Sequence, residues 1–350
     1  MAYPFSSEHN LIRETARGFL QEWFDDGKGP EKVFKSGQAF DAAAWTKFTQ
    51  ELGMSAIAID ESYGGAGMGE LGLIVVMEEL GASLCSIPFL SGCAVVAGLL
   101  EKMGEDQPKS KILPKIATGE LIAVYCEGDG NKANYVANGS LADLIVFPYF
   151  VADGIDYIGI SAQAKGLSIT PHKTMDPSRN FASVDWSGVA DSERQIIGYG
   201  SKEAHRKMIA QSHLALAAES IGGAQKCLDM TLEYTAQRIQ FDRPIASFQA
   251  IKHRCADMFI LLEAARSAVY GAAVATDIEK TQACLVAKAY ATDAFYKIAG
   301  DAIQLHGGIG FTWEYPLHFF FKRARANRTM FGTPQEAYAD LADDVLGEAE

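Results

Sequence analysis

The sequence predicts a mainly helical protein with a small β domain set in its middle. Three observations carry this reading. Apolar residues recur at helical spacing up to about residue 118, short β-rich runs fill 119–197, and long alanine-rich helical patterns occupy the remainder. The expected division is an N-terminal helical domain at 1–118, a shortened central β domain at 119–197 and a C-terminal helical bundle at 198–350.

Each part has its own signal. In "SSEHNLIRETARGFLQEWF", Leu11, Ala16, Phe19 and Leu20 share one helical face, and Leu73, Val76, Met77 and Leu80 do the same in "LGLIVVMEELGASL". Between them, "SYGGAGMGE" is glycine-rich but follows no convincing strand, which favours a plain connection over a phosphate cradle. "LADLIVFPYF", "DYIGISA", "GLSITPH" and "FASVDWSGV" read as strands of a small antiparallel unit, since no helical period intervenes to make a parallel βαβ unit. From 203 to 237 one long helix carries Met208, Ile209, Leu216, Ile221, Ala224, Leu228 and Thr231 on a stripe, followed by helices at 248–276 and 279–305. The last two are apolar on more than one face, so the bundle is expected to pack against neighbouring subunits.

Composition narrows the function. With 48% hydrophobic and 21% charged residues, the 350-residue chain is ordinary globular protein. A net charge of −13 argues against nucleic acid and against an anionic membrane surface as partners. The six cysteines lack metal or redox spacing and read as reduced, buried thiols of a cytoplasmic protein. "MAYPFSSEHN" has no signal-peptide pattern, and the apolar run "CAVVAGLL" is too short to cross a bilayer.

Two motifs carry chemistry. In "RIQFDRPIASFQ", Pro244 breaks helix continuity, Ser247 is a candidate N-cap, and Arg238 stands at a helix end. There its fork suits a phosphate, or it is a plain surface arginine. In "QLHGGIGFTWEYP", Gly307 and Gly308 are either a simple C-cap or a place where an anionic or planar ligand touches the main chain.

These two segments, the trailing "FGT" at 331–333, and more weakly "YGGAGMGELGLIVVMEELG" and "LPKIATGE", resemble the acyl-CoA dehydrogenase family across the whole chain. The resemblance implies FAD at a subunit interface, an acyl-CoA substrate and an electron acceptor such as an electron-transfer flavoprotein. It also implies that Arg238, Phe241, Phe248, Gln249, Gln304, Gly307 and Gly308 hold the diphosphate and adenosine end of a neighbouring subunit's flavin. No metal is implied.

The chain departs from the family at the base. The carboxylate that removes the α-proton most often stands directly before Gly-Thr, where this chain has Phe331. The second family position matches Ser212, followed by His213, which is either titratable or structural. No catalytic residue is therefore assigned. "VYCEGDGNKANYVANGSLADLIVF" lacks the Thr-Glu-Pro and Gly-Ser-Asp stretches that hold the flavin ring and pyrophosphate. Together with "TMDPSRNFASVDWSGV", these losses resemble the short, base-less subunit of two-gene acyl-CoA dehydrogenases of steroid degradation, whose longer partner supplies the base in an α2β2 assembly. Two other readings stay open: a self-sufficient homotetramer with Glu219, Glu203 or His213 as base, and a flavin-free structural subunit. The basic run Lys322, Arg323, Arg325 and Arg328 reads as a solvated or interfacial face, or as a contact to CoA phosphate or a partner. Thr333 and Gln335 align with minor cofactor-side positions.

Overall fold

The computed structural model describes residues 5–25, 29–36, 40–276 and 279–346. Helices come first: α1 (Ser7–Trp23), α2 (Pro30–Ser36), α3 (Ala42–Thr46), α4 (Gly69–Ser83), α5 (Ala97–Met103) and α6 (Asp106–Ala117). Ser6 starts α1 with a reciprocal cap to His9, satisfying donors that the first helical turn leaves open. The glycine-rich stretch is the connection into α4, which is buried on nearly all faces by Leu73, Ile74, Val75, Val76 and Met77.

Seven strands follow: β1 (Ala123–Tyr125), β2 (Lys132–Val136), β3 (Leu144–Val151), β4 (Gly154–Ser161), β5 (Ser168–Pro171), β6 (Ala182–Asp185) and β7 (Gln195–Gly200). They form a sheet of order β1-β3-β4-β7 and a second of order β2-β6-β5. The all-antiparallel expectation fails at one pair, because β1 runs parallel to β3. The reason is that β2 leaves to join the other sheet, so the chain re-enters beside β1 in the same direction. Val124, Ile145, Ile160 and Val184 fill the space between the sheets, and Phe147 stacks on Trp186 at 4.5 Å.

The C-terminal part is α7 (Lys202–Gln237), a hairpin of β8 (Ile239–Gln240) and β9 (Arg243–Pro244), then α8 (Gln249–Val274), α9 (Lys280–His306), α10 (Leu317–Asn327) and α11 (Pro334–Leu346). Ser201 caps α7. Ser247 does not cap α8; it lies in a short 3-10 turn, and Phe248 occupies the cap position without a side-chain bond. α4 and α7 touch backbone to backbone. A Cβ on Gly81 would fall 1.9 Å from the Glu219 carbonyl oxygen, and one on Gly222 would fall 1.8 Å from that of Glu78.

In the basic run Arg325 is exposed, Lys322 and Arg328 are half-buried, and Arg323 is buried. Arg323 is 2% exposed, with Nε donating to Asp176 at 2.7 Å, Nη1 to Glu219 at 2.8 Å and Nη2 to Ser178 at 2.5 Å. Arg179 donates to the other oxygen of Glu219, and Asn327 donates to Glu219 at 3.0 Å. Burial opposes ionisation of Asp176, but Arg323 and Arg179 outweigh it and hold the carboxyl below the usual carboxylate range. Arg328 pairs with Asp293 at 2.5 Å, and Lys322 lies over Phe34 at 5.1 Å. A buried ion pair is costly to break singly, because the remaining charge has no partner. Glu219→Gln is therefore expected to destabilise the fold by about 3–5 kcal/mol, read from urea unfolding midpoints at constant m.

Candidate cofactor site and acyl cleft

The site begins where α7 ends. Arg238 leaves the helix with extended backbone, its N–H donating to the Tyr234 carbonyl, and its side chain is exposed. Its own carbonyl accepts from Ile245 N–H at 2.9 Å, which closes the β8–β9 hairpin over a two-residue turn. Phe241 and Asp242 form that turn with φ of 53° and 59°. Such a turn usually takes Asn or Gly, and an aromatic residue there is strained. Phe241 is 86% exposed, with its ring edge-on to Phe248 at 5.9 Å. Arg243, which the sequence reading did not single out, places its guanidinium 4.1 Å over Phe248. Its only signal was a second arginine across the hairpin register from Gln240.

The second motif lies beside the first. Tyr234, one turn before Arg238, stacks on His306 at 4.2 Å, and Arg254 of α8 pairs with Asp301 of α9 at 3.1 Å. These contacts bring the end of α7, the start of α8 and the end of α9 to one face, where Gln249, Gln304, Gly307 and Gly308 are exposed and Phe248 is half-buried. Gly307 has φ 64° and ψ −142°, a conformation reserved for glycine. Gly308 has no such need, and a Cβ there would meet nothing in this chain. Around them Ile239, Phe311 and Trp313 are 53%, 67% and 49% exposed. This is a cationic and apolar face with bare backbone at its centre.

Phe331 is elsewhere. It lines a cleft of about 500 Å³ with Leu90, Tyr125, Glu127, Phe181 and Ile209, between the β sheets and the front of α7. Phe331 sits at φ 54° and Gly332 at φ 89°. The turn is held from below: His213 donates from Nε2 to the Phe331 carbonyl at 3.0 Å, and Lys288, fully buried, donates to the Gly332 carbonyl. Burial, then the charge of Lys288, lowers the His213 pKa to about 4; burial lowers that of Lys288 to about 8. Thr333 caps α11, exchanging bonds with Glu336, and Pro334 begins that helix.

Neither expected base position holds a base. Ser212 is buried and donates to the Met208 carbonyl at 3.2 Å. The other candidates are also spoken for. Glu219 is consumed by Arg179 and Arg323, Glu203 pairs with Lys207 at 3.0 Å in the first turn of α7, and His213 is neutral and structural. The carboxylate that does line the cleft is Glu127, half-exposed in the loop after β1 and 3.7 Å from His205 Nε2. No motif in the sequence marks Glu127, or Lys288, which lies inside an apolar helical pattern.

Comparison with known proteins adds independent findings. The acyl-CoA dehydrogenase N-terminal domain matches residues 6–120, and the C-terminal domain matches 200–346. Acyl-CoA dehydrogenase IpdE2 of Mycolicibacterium smegmatis is 33% identical over 354 residues, covering 97% of this chain and 100% of that protein. The chain belongs to the acyl-CoA dehydrogenase family. The same fold recurs in the ChsE4–ChsE5 complex from Mycobacterium tuberculosis, at TM-score 0.89 and 22% identity over 100% of both chains. It recurs again in the Tcur3481–Tcur3483 steroid ACAD, at TM-score 0.84 and 23% identity over 97% of this chain and 98% of that one. Among the described residues no helix is long and apolar enough to cross a membrane.

Acyl-CoA dehydrogenases are FAD-dependent oxidoreductases, and this member has residues that suit the cofactor's anionic half. An exposed guanidinium, two aromatic rings and a glycine whose missing Cβ serves nothing within the chain fit a diphosphate and a purine. The Phe331 turn also has a testable electrostatic signature. Because the folded His213 titrates at about 4 against 6.5 in the unfolded chain, the unfolded state binds the extra proton first. His213→Gln is thus expected to flatten the loss of stability between pH 6.5 and about 4, measured by unfolding at a series of pH values, while leaving the neutral range little changed.

Proposed function

We propose that this acyl-CoA dehydrogenase chain is one subunit of a heteromeric, FAD-dependent enzyme that desaturates a bulky, steroid-derived acyl-CoA thioester between Cα and Cβ. The supporting observation is the layout of α7. The cleft at Ile209 and the arginine hairpin at 238 lie at opposite ends of one continuous 36-residue helix, about 40 Å apart at 1.5 Å per residue. That is further than one extended FAD reaches. A flavin gripped by Arg238 therefore has its ring in another chain's cleft.

The residues divide the work accordingly. Arg238 would neutralise the diphosphate, Phe241 and Phe248 would contact the adenosine end, and Gln249 and Gln304 would supply polar contacts. Gly307 and Gly308 let the cofactor approach the backbone. FAD held there would supply the acceptor for the β-hydride, and removal of the α-proton would need a carboxylate. With Phe331 and Ser212 at the usual base positions, that carboxylate belongs to a longer partner subunit, and an electron-transfer flavoprotein reoxidises the flavin. The ChsE4–ChsE5 and Tcur3481–Tcur3483 names each join two proteins, which supports a two-chain assembly, and the latter supports a steroid substrate.

Arg238→Ala is expected to lower flavin content per assembly at least tenfold, read from the 450 nm absorbance of purified protein. Stoichiometric flavin and dehydrogenase activity in the lone wild-type chain would sink the proposal. Phe241→Asn should raise thermal stability slightly by relieving the turn, and should weaken flavin retention in the same sample. A second reading rests on Glu127: if this chain's own cleft is catalytic, Glu127→Gln reduces turnover by about 10²-fold or more.

A further inference from the structure

Among the described residues three aromatic side chains sit on backbone of positive φ. Phe241 belongs to the flavin-gripping hairpin. The other two, Tyr135 at 56° and Phe331 at 54°, line one and the same cleft. Such a backbone is costly for a bulky residue, and strain of this kind gathers where a protein holds a ligand. Tyr135 adopts it at an irregularity in the β2–β6 pair, whose register shifts between Ala133 and Val136. Its ring remains 65% exposed; His172 is tilted beside it at 4.9 Å, and Phe181 meets it edge-on at 6.4 Å.

The same cleft offers an open acceptor and an open donor. Glu127 is the one charged side chain that lines it among the described residues, and half of its side-chain surface is exposed. Its ion-pair neighbour, His205 Nε2, stands 3.7 Å away, beyond hydrogen-bond reach, while the Tyr157 hydroxyl holds His205 Nδ1 at 3.0 Å. Tyr125, also on the wall, has its hydroxyl enclosed and out of a ligand's reach. Asn134, exposed next to Tyr135, has its amide oxygen taken by the Ser183 hydroxyl at 2.6 Å, and Ser183 in turn accepts from His172 Nε2 at 2.7 Å. What Asn134 has left is its Nδ2 donors, which meet no acceptor among the described residues.

We propose that this chain's own cleft, though it has no base at Phe331 or Ser212, binds a neutral, rigid polycyclic compound that carries a hydroxyl and a second, carbonyl oxygen. The ring system lies against Tyr135 and Phe331, the hydroxyl donates to Glu127, and the carbonyl accepts from Asn134 Nδ2. Charge and chemistry narrow the class. A lone carboxylate in a chain of net −13 disfavours an anionic group in the cleft. A ketone alone has no proton for Glu127, and an ammonium has no lone pair for Asn134. A rigid skeleton gives up little freedom against side chains that the backbone already holds in place. The volume of about 500 Å³ is in the range of small-molecule sites. The inference rests on the reading that the flavin ring lies in another chain's cleft, and adds that this cleft has kept a ligand of its own.

The test is isothermal titration of the purified full-length protein, with its partner where it has one. The probes are testosterone, a rigid polycycle with one hydroxyl and one ketone, and androstenedione, its diketone counterpart. Testosterone is expected to bind saturably and androstenedione at least tenfold more weakly. Glu127→Ala should weaken testosterone at least tenfold and leave androstenedione unchanged, so that the two probes become equal. Tyr135→Asn, which suits the same backbone, should weaken both at least fivefold at an unchanged melting temperature. Absence of saturable binding, equal binding of the two probes by the wild type, or binding that ignores either substitution overturns the proposal. These titrations read neither flavin content nor turnover, whereas stoichiometric flavin in the lone chain is what ends the heteromeric reading, so the two failures are told apart.

Discussion

The buried quartet of Asp176, Arg179, Glu219 and Arg323 is the constraint on which the remaining geometry depends. Asp176 and Arg179 come from the segment between β5 and β6, Glu219 from the middle of α7 and Arg323 from α10. One ionic cluster thereby fixes the β sheets, the longest helix and the C-terminal helices to each other. Two arginines balance two carboxylates, and Ser178 and Asn327 add further hydrogen bonds, while the Arg179 Nε is left without a partner. Glu219 also lies on the stretch of α7 whose backbone abuts Gly81, so register along that contact and register of the cluster are set together. Two turns toward the N-terminus, the same helix presents His213 to the Phe331 turn.

From that fixed middle, α7 serves two distant sites. Its front half, at Ile209, lines a cleft with both apolar and polar walls, Glu127 among them, and with Phe331 at the usual base position. Its end delivers an exposed arginine, a strained aromatic turn and, through Tyr234 and His306, the bare backbone of Gly307 and Gly308. On the proposed reading each end is half of a flavin site, and the length of one rigid helix keeps the two from meeting within a single chain.

Much of this was legible in the residues because helical period is a strong, local signal. The three long C-terminal helices fall close to where apolar spacing puts them. Contacts between distant segments were not legible. Arg323 sits in a basic run that reads as surface until Asp176 and Glu219, far away in sequence, are folded onto it. The parallel β1–β3 pair escaped because strand direction depends on which sheet β2 joins, a non-local choice. Ser247 has the right chemistry for a cap, but the 3-10 turn after Pro244 moves the helix start past it. Glu127 and Lys288 were missed for opposite reasons: one is in a loop of unremarkable composition, the other in an alanine-rich helix whose pattern hides a single cation. At the hairpin, the family resemblance picked out Arg238 and Phe241, whereas Arg243 needed the register of β8 and β9 to be seen.

Lys288 has a chemical consequence of its own. An amine whose pKa has fallen to about 8 carries an appreciable unprotonated fraction near neutrality, and that is the form which attacks thioesters. Here it has no exposed area and points at a carbonyl oxygen. The same enclosure that lowers the pKa of the amine also keeps it out of reach of any thioester in solution.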